Sequence, residues 1–287
     1  MKIKLHKKKV NRSLAGNILL FFVLGLLAAF MVIPMIFAIS NAFKPLNEIF
    51  LFPPKMLVRN PTMENFTQLF VILQNSWVPF SRYVVNSLFI TAAGTFLNII
   101  LASMCAYPLA KIKVPFTGAI FSIIILTLMF SREITVLPNY LLMSGLKLTD
   151  TYLAIIFPAV SASVGLFLMK QFIEANVPDT ILEAAKIDGS GEWRIFFRIV
   201  MPMVKPAWLT MIIFNVQALW GETGGIYIYR EELKTLPYAL SQILAGGIAR
   251  TGPAAAATLF VMTVPIVTFV LTQSKIIETM STSGIKE

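Results

Sequence analysis

Hydrophobic positions in this chain come in long blocks. Six runs, at about 14–40, 83–107, 116–138, 151–172, 203–222 and 254–275, are apolar almost throughout. Each has the roughly 20 residues that a helix needs to cross a bilayer core. Only a structure that satisfies its own backbone can span a membrane, and blocks of this length satisfy it as helices. The pattern therefore predicts an all-α fold, an integral membrane helical bundle with six transmembrane helices. It also predicts one membrane domain, 14–277, between a basic tail, 1–13, and a short tail, 278–287.

Two polar segments have a pattern of their own. In "NPTMENFTQLF", Asn60 to Phe70, Thr62 is placed to cap a short helix whose Phe66, Leu69 and Phe70 share one face. The second segment is "LEAAKIDGSGEWRIFFRIVMPMVKP", Leu182 to Pro206, between the fourth and fifth runs. Pro178 or Asp179 opens a helix that Ala184 and Ala185 favour. Asp188-Gly189 breaks it, because glycine enters a left-handed turn freely. From Gly191 a second helix begins, with Trp193, Phe196, Phe197 and Val200 at the spacing of one apolar face. Pro202 and Pro206 then redirect the chain into the fifth run. The segment predicts a helix-turn-helix over about 178–206. It serves either as a docking site for another protein or as a helix pair that stiffens the bundle.

Charge sets the orientation. The chain has 287 residues, 57% hydrophobic and 13% charged, about half the charged share of a soluble domain. The net charge of +10 could suggest nucleic acid, but the basic residues flank apolar runs and form no single face. The positive-inside rule accounts for them. Lys2, Lys4, Lys7, Lys8, Lys9 and Arg12 hold the first run's start inside. Six crossings then place both termini, and the 178–206 loop, in the cytoplasm. The first run exceeds the 7–15 residues of a signal-peptide core, so it is expected to remain as a helix.

Several chemistries are excluded. Cys105 is the only cysteine and His6 the only histidine, which leaves no disulfide, metal cluster or His-dependent triad. The chain contains no GxxxxGK[ST] phosphate loop. The stretches 14–39, 84–106, 116–131, 151–169, 207–220 and 254–273 carry no Asp, Glu, Lys, Arg or His, which argues against proton relays and carboxylate-based ion coupling. Uncharged polar groups do occur within the runs. Ser87, Thr91, Thr95 and Asn98 lie along one helix face, serving helix packing or a wet pathway. Asn215 in the fifth run, with Trp220 and Glu222 at its end, offers an amide, an aromatic face and a carboxylate. That set suits a sugar, although Trp220 also fits an interfacial anchor.

The positions Glu183-Ala184-Ala185, Asp188-Gly189, Ile199 and Pro202 resemble the EAA loop of permeases of ATP-binding-cassette importers. The surrounding stretch resembles the carbohydrate-uptake, maltose-type branch of that family. So do "NPTMENF", "RYVVNSLFI", "LTDTYLAIIFP" and the closing "SGIKE". That branch often has Trp-Asn-acidic at the end of the fifth span, where this chain has Trp220-Gly221-Glu222. The resemblance implies a subunit of the bacterial cytoplasmic membrane with no cofactor and no chemistry of its own. It pairs with a second permease subunit, as a heterodimer, and receives sugar from an extracellular solute-binding protein. Two ATPase subunits, which bind ATP and Mg, each hold one EAA loop. Glu183, Ala184, Ala185, Asp188, Gly189, Trp193, Ile199 and Pro202 would then form the ATPase coupling surface. A permease for a polyol or glycerol phosphate, or a membrane scaffold without an ATPase, are the alternatives.

Overall fold

The structure is a computed structural model that describes residues 14–74, 77–112 and 115–283. The basic tail, Lys113 and the closing "SGIKE" from Gly284 lie outside them or at their edge. Among the described residues every regular element is helical. α1, Leu14–Phe43, is followed by the short α2, Glu64–Gln74, and by α3, Phe80–Lys111, the central helix. Two broken segments come next. The first is α4, Thr117–Thr127, with α5, Arg132–Gly145. The second is α6, Leu153–Val160, with α7, Ser163–Asn176. The loop helices are α8, Asp179–Ile187, and α9, Glu192–Met203. α10, Lys205–Trp220, leaves α9 at an angle of 77°. α11, Leu236–Leu244, and α12, Thr251–Ser283, complete the chain.

Among the described residues four segments are long and apolar enough to cross a bilayer unaided: α1, α3, α6 with α7, and Ile248–Ser274. The bent pair α9–α10 makes a fifth. The expected third span differs. α4 has 11 residues, about 16 Å of helix, roughly half a bilayer core. It closes through i→i+3 bonds, Leu128 N–H to Ile125 O and Met129 N–H to Leu126 O, and the next helix starts after Ser131, which is extended. Ser131, Arg132 and Glu133 are polar residues in a run read as continuous. The interruption borders a cavity, where irregular backbone is tolerated at membrane depth.

α3 packs against α6, α7 and α10, and α10 packs against α12, which supports α1 and α2. The α2 cap forms as its sequence predicts, with Glu64 N–H donating to Thr62 Oγ1 at 3.1 Å. Leu69 is fully buried. Phe66 packs on Phe43 and Phe260, and Phe70 on Phe80 and Phe260. α2 therefore lies against the bundle. An amide holds this corner: Asn65 Nδ2 donates to the carbonyls of Ala42 and Lys44.

Candidate functional site: the α8–α9 loop and the broken-helix cavity

α8 ends in a turn that satisfies its carbonyls. Gly189 has φ 75°. Its N–H bonds Lys186 O at 3.0 Å, and Ser190 N–H reaches back to Ala185 O at 2.9 Å. This 6→1 and 5→2 pair is the Schellman arrangement, which needs a residue comfortable at positive φ. Asp188 is the residue at the helix end.

The faces of the two loop helices are not those their sequence suggests. Ala185 is buried with Leu182 against the bundle, while Glu183, Ala184, Asp188 and Ile187 are exposed, Ile187 at 86%. The expected small face of two alanines is thus reduced to Ala184. In α9 a π-helical turn, Phe196–Val200, widens the helix and divides the expected apolar stripe. Phe196 and Val200 are buried with Ile195. Trp193, 66% exposed, and Phe197 face outward and stack on each other at 6.1 Å and 14°. Ile199 is half-buried and Pro202 exposed. The loop is clamped to the loop-side end of α3. Tyr107 Oη donates to Glu192 Oε2 at 2.8 Å, and Lys186 Nζ meets Glu192 Oε1 at 2.7 Å. The bonds from Lys186 and Tyr107 hold the Glu192 carboxyl below the usual carboxylate range.

Toward the other end of the bundle lies a cavity of about 390 Å³, within the size range of small-ligand sites. It opens where both broken segments are interrupted. Its polar wall includes Thr127, Thr135, Asn139, Ser163, Glu222 and Tyr227. Thr127 and Ser163, at the two interruptions, bring their hydroxyls within 2.6 Å. Behind the wall, Asn98 is 1% exposed. Its Nδ2 donates to the carbonyls of Ala159 and Val160, both at 3.0 Å. Its Oδ1 accepts from Asn215 Nδ2 at 2.8 Å.

The three residues of the sequence-derived pathway do not converge. Glu222 lines the cavity. Asn215 bonds Asn98 behind it. Trp220 is 3% exposed, and its Nε1 donates to Val261 O of α12 at 2.9 Å. The polar stripe on α3 is turned inward. Ser87, Thr91, Thr95 and Asn98 are all buried, and Ser87 Oγ accepts the Leu236 N–H. Sequence reasoning missed Asn139, Thr127 and Ser163. The signal for them was a hydroxyl or amide set inside an apolar run, which tells nothing of where helices break. It also missed Tyr107 and Glu192.

A charge-poor helical bundle with two broken helices meeting at a polar cavity is the build of a membrane transport subunit. Similarity to known proteins agrees. The chain belongs to the family of binding-protein-dependent transport system inner membrane components, whose model matches residues 7–278. It is the transport subunit of an ATP-binding-cassette importer, in which hydrolysis belongs to a separate chain. The arabinooligosaccharides transport system permease protein AraQ of Bacillus subtilis is 28% identical over 276 residues, 93% of this chain and 94% of that one. The melibiose/raffinose/stachyose import permease protein MelC of Bacillus subtilis is 29% identical over 206 residues, 70% and 75% of the two chains. In fold, the chain resembles a chain of a bacterial ABC transporter that imports the acidic polysaccharide alginate. That match has a TM-score of 0.75 at 20% identity and covers 90% and 95% of the two chains.

Proposed function

We propose that this chain is one of two permease subunits that move an oligosaccharide across the bacterial cytoplasmic membrane. The similarity to AraQ along nearly the whole of both chains carries the reading. The broken pairs α4–α5 and α6–α7 each count as one crossing, so the chain crosses six times with both termini and the α8–α9 loop in the cytoplasm. Over about 178–206, the loop docks an ATPase subunit that binds ATP and Mg. Glu183, Ala184, Asp188, Trp193 and Pro202 stand at the docking surface, while Gly189 sets the bend, and Ala185 and Ile199 seat the helices on the bundle. An extracellular binding protein delivers the solute, and a heterodimeric partner completes the pathway. The cavity between the broken helices supplies this chain's share of that pathway. Its hydroxyls, Asn139 and Glu222 are partners for sugar hydroxyls, with Asn215 supporting the wall. The Glu222 carboxylate disfavours an anionic phosphate ester, so a neutral sugar is preferred over glycerol phosphate.

The test is uptake of labelled oligosaccharides in cells that lack this chain, complemented with wild type or Glu183→Ala. Wild type restores uptake and retains the ATPase on purification, whereas Glu183→Ala loses both. An ATPase that stays bound with uptake intact in Glu183→Ala removes the docking role. Uptake unchanged by the deletion removes the transport reading.

A further inference from the structure

α3 is held by side chains at both ends. At the loop end, Tyr107 bonds Glu192 of α9 at 2.8 Å, and Lys111, one turn on, meets Asp179 at the start of α8 at 2.9 Å. Both loop helices are thereby tied to the same helix, and Lys186 joins them by pairing with Glu192. Tyr107 is 5% exposed and its ring packs on Phe196 at 5.8 Å, so its hydroxyl has one fixed direction. At the far end, Tyr83 Oη donates to Glu231 at 2.7 Å. Asn86 Nδ2 donates to the carbonyls of Glu232 and Lys234, each at 2.8 Å, and Leu236 N–H donates to Ser87 Oγ at 2.8 Å. α3 runs through these anchors as one helix of 32 residues, about 48 Å long, and its one proline, Pro108, lies at the loop end just past Tyr107. The neighbouring segments α4–α5 and α6–α7 are each interrupted at the cavity.

We propose that α3 is the rod that carries displacement of the α8–α9 loop to the far-side segment 231–244. Tyr107 and Glu192 are the positioning residues at its driven end, and Asn86 is the positioning residue at its working end. The inference rests on the reading of that loop as the ATPase dock. An unbroken helix transmits a push or a tilt along its axis, whereas a helix interrupted by a flexible turn absorbs it. The bond to Glu192 matters because its acceptor is ionised and its donor is buried, which makes it stronger than a neutral pair. Tyr107→Phe removes that one bond and leaves the ring on Phe196.

The complete transporter, with partner permease, ATPase subunits and binding protein, is reconstituted in liposomes as wild type, Tyr107→Phe and Glu192→Gln. Three quantities are read: ATPase retained on purification, stimulation of hydrolysis by sugar-loaded binding protein, and sugar moved per ATP. For Tyr107→Phe the ATPase is retained and basal hydrolysis persists. Stimulation and sugar moved per ATP fall about tenfold, the order expected when a hydrogen bond to a charged group is lost. Glu192→Gln keeps a neutral acceptor for Tyr107 while losing the Lys186 pair, and its stimulation falls between wild type and Tyr107→Phe. Normal stimulation and stoichiometry in Tyr107→Phe overturn the rod. So does loss of the ATPase from Tyr107→Phe, because the hydroxyl would then serve docking alone. Failure of the docking reading shows separately, as Glu183→Ala complexes that keep their ATPase.

Discussion

Asn215 Nδ2 donates to Asn98 Oδ1 across 2.8 Å, joining α10 to α3 at the level where α6 gives way to α7. Asn98 spends its own two donors on the carbonyls of Ala159, which also accepts the Ala162 N–H, and of Val160 at the interruption. Gly165 makes room for this knot, since a Cβ there would lie 3.0 Å from Asn98 Oδ1 and 2.7 Å from Met211 Cε. Asn98→Leu fills the space but strands two polar groups, Val160 O and Asn215 Nδ2. Each such group costs about 1–3 kcal/mol in a site that water cannot reach. A single interhelical bond in a bilayer averages about 0.6 kcal/mol, so Asn215→Ala should cost much less. Thermal unfolding of the purified complex checks the order. Equal midpoints for the two variants would mean that Asn98 caps nothing.

Trp220 is predicted to be a structural side chain. Trp220→Ala removes a ring buried against α12 and leaves Val261 O without its donor. Loss of a buried aromatic of this size costs about 3–5 kcal/mol. Yield of assembled complex falls accordingly, and Trp220→Phe recovers part of it. Full assembly of Trp220→Ala with slowed uptake would instead return Trp220 to the pathway.

Gly189 tests the bend. A Cβ there meets nothing within 4 Å, so the cost of replacement lies in the backbone at φ 75° alone. For a β-branched residue it is about 1–2 kcal/mol, enough to re-aim α9. Gly189→Val loses uptake, and Gly189→Asn, which tolerates the left-handed region, retains most of it. Equal uptake in the two variants would show that the turn does not set the loop.

Asp150 links the two far-side loops. Its Oδ1 accepts the N–H groups of Tyr229 and Arg230, and its Oδ2 meets Arg230 Nε at 2.6 Å. Partial burial pushes its pKa up, but the bonds from Arg230 and Tyr229 outweigh this and hold it below the ordinary value. A depressed carboxylate gives stability that is present above the unfolded value and lost as pH falls through the folded one. The clasp should therefore contribute the same from pH 7 to about pH 4 and weaken only below the usual range for aspartate. Because Arg230 is largely exposed, it is worth at most about 1 kcal/mol. Unfolding midpoints of wild type and Asp150→Asn, followed against pH, should run parallel and then converge. Convergence already near pH 6 would contradict the assignment.

What could be read in advance was what one element decides by itself. The Thr62 cap and the positive φ at Gly189 follow from residues within a turn of each other. The direction each face takes did not. Lipid is as apolar as a helix neighbour, so a run such as 207–220 gives no contrast between buried and lipid-facing sides. Trp220 was accordingly legible as an aromatic near a boundary but not as a group turned toward α12. The same holds for Ala185, which points into the bundle, and for Trp193 and Phe197, which a π turn swings outward. Lys186, an exposed cation by sequence, pairs with Glu192. The break after Thr127 was hidden because Leu128, Met129 and Phe130 continue the apolar run, and the polar Ser131, Arg132 and Glu133 come only after the helix has ended.

The stretches 84–106, 151–169, 207–220 and 254–273 carry no Asp, Glu, Lys, Arg or His, and the buried Lys44, Lys170 and Lys234 lie outside them. Carrying one elementary charge through a membrane potential costs or yields about 2.3 kcal/mol per 100 mV. Within those stretches reorientation drags no Asp, Glu, Lys, Arg or His charge through that field; the crossings keep charged residues outside them, among these Arg132 and Glu133 of the α4–α5 pair and Lys170 of α7. For an uncharged sugar, any pull of the electrical gradient on the step acts through such residues.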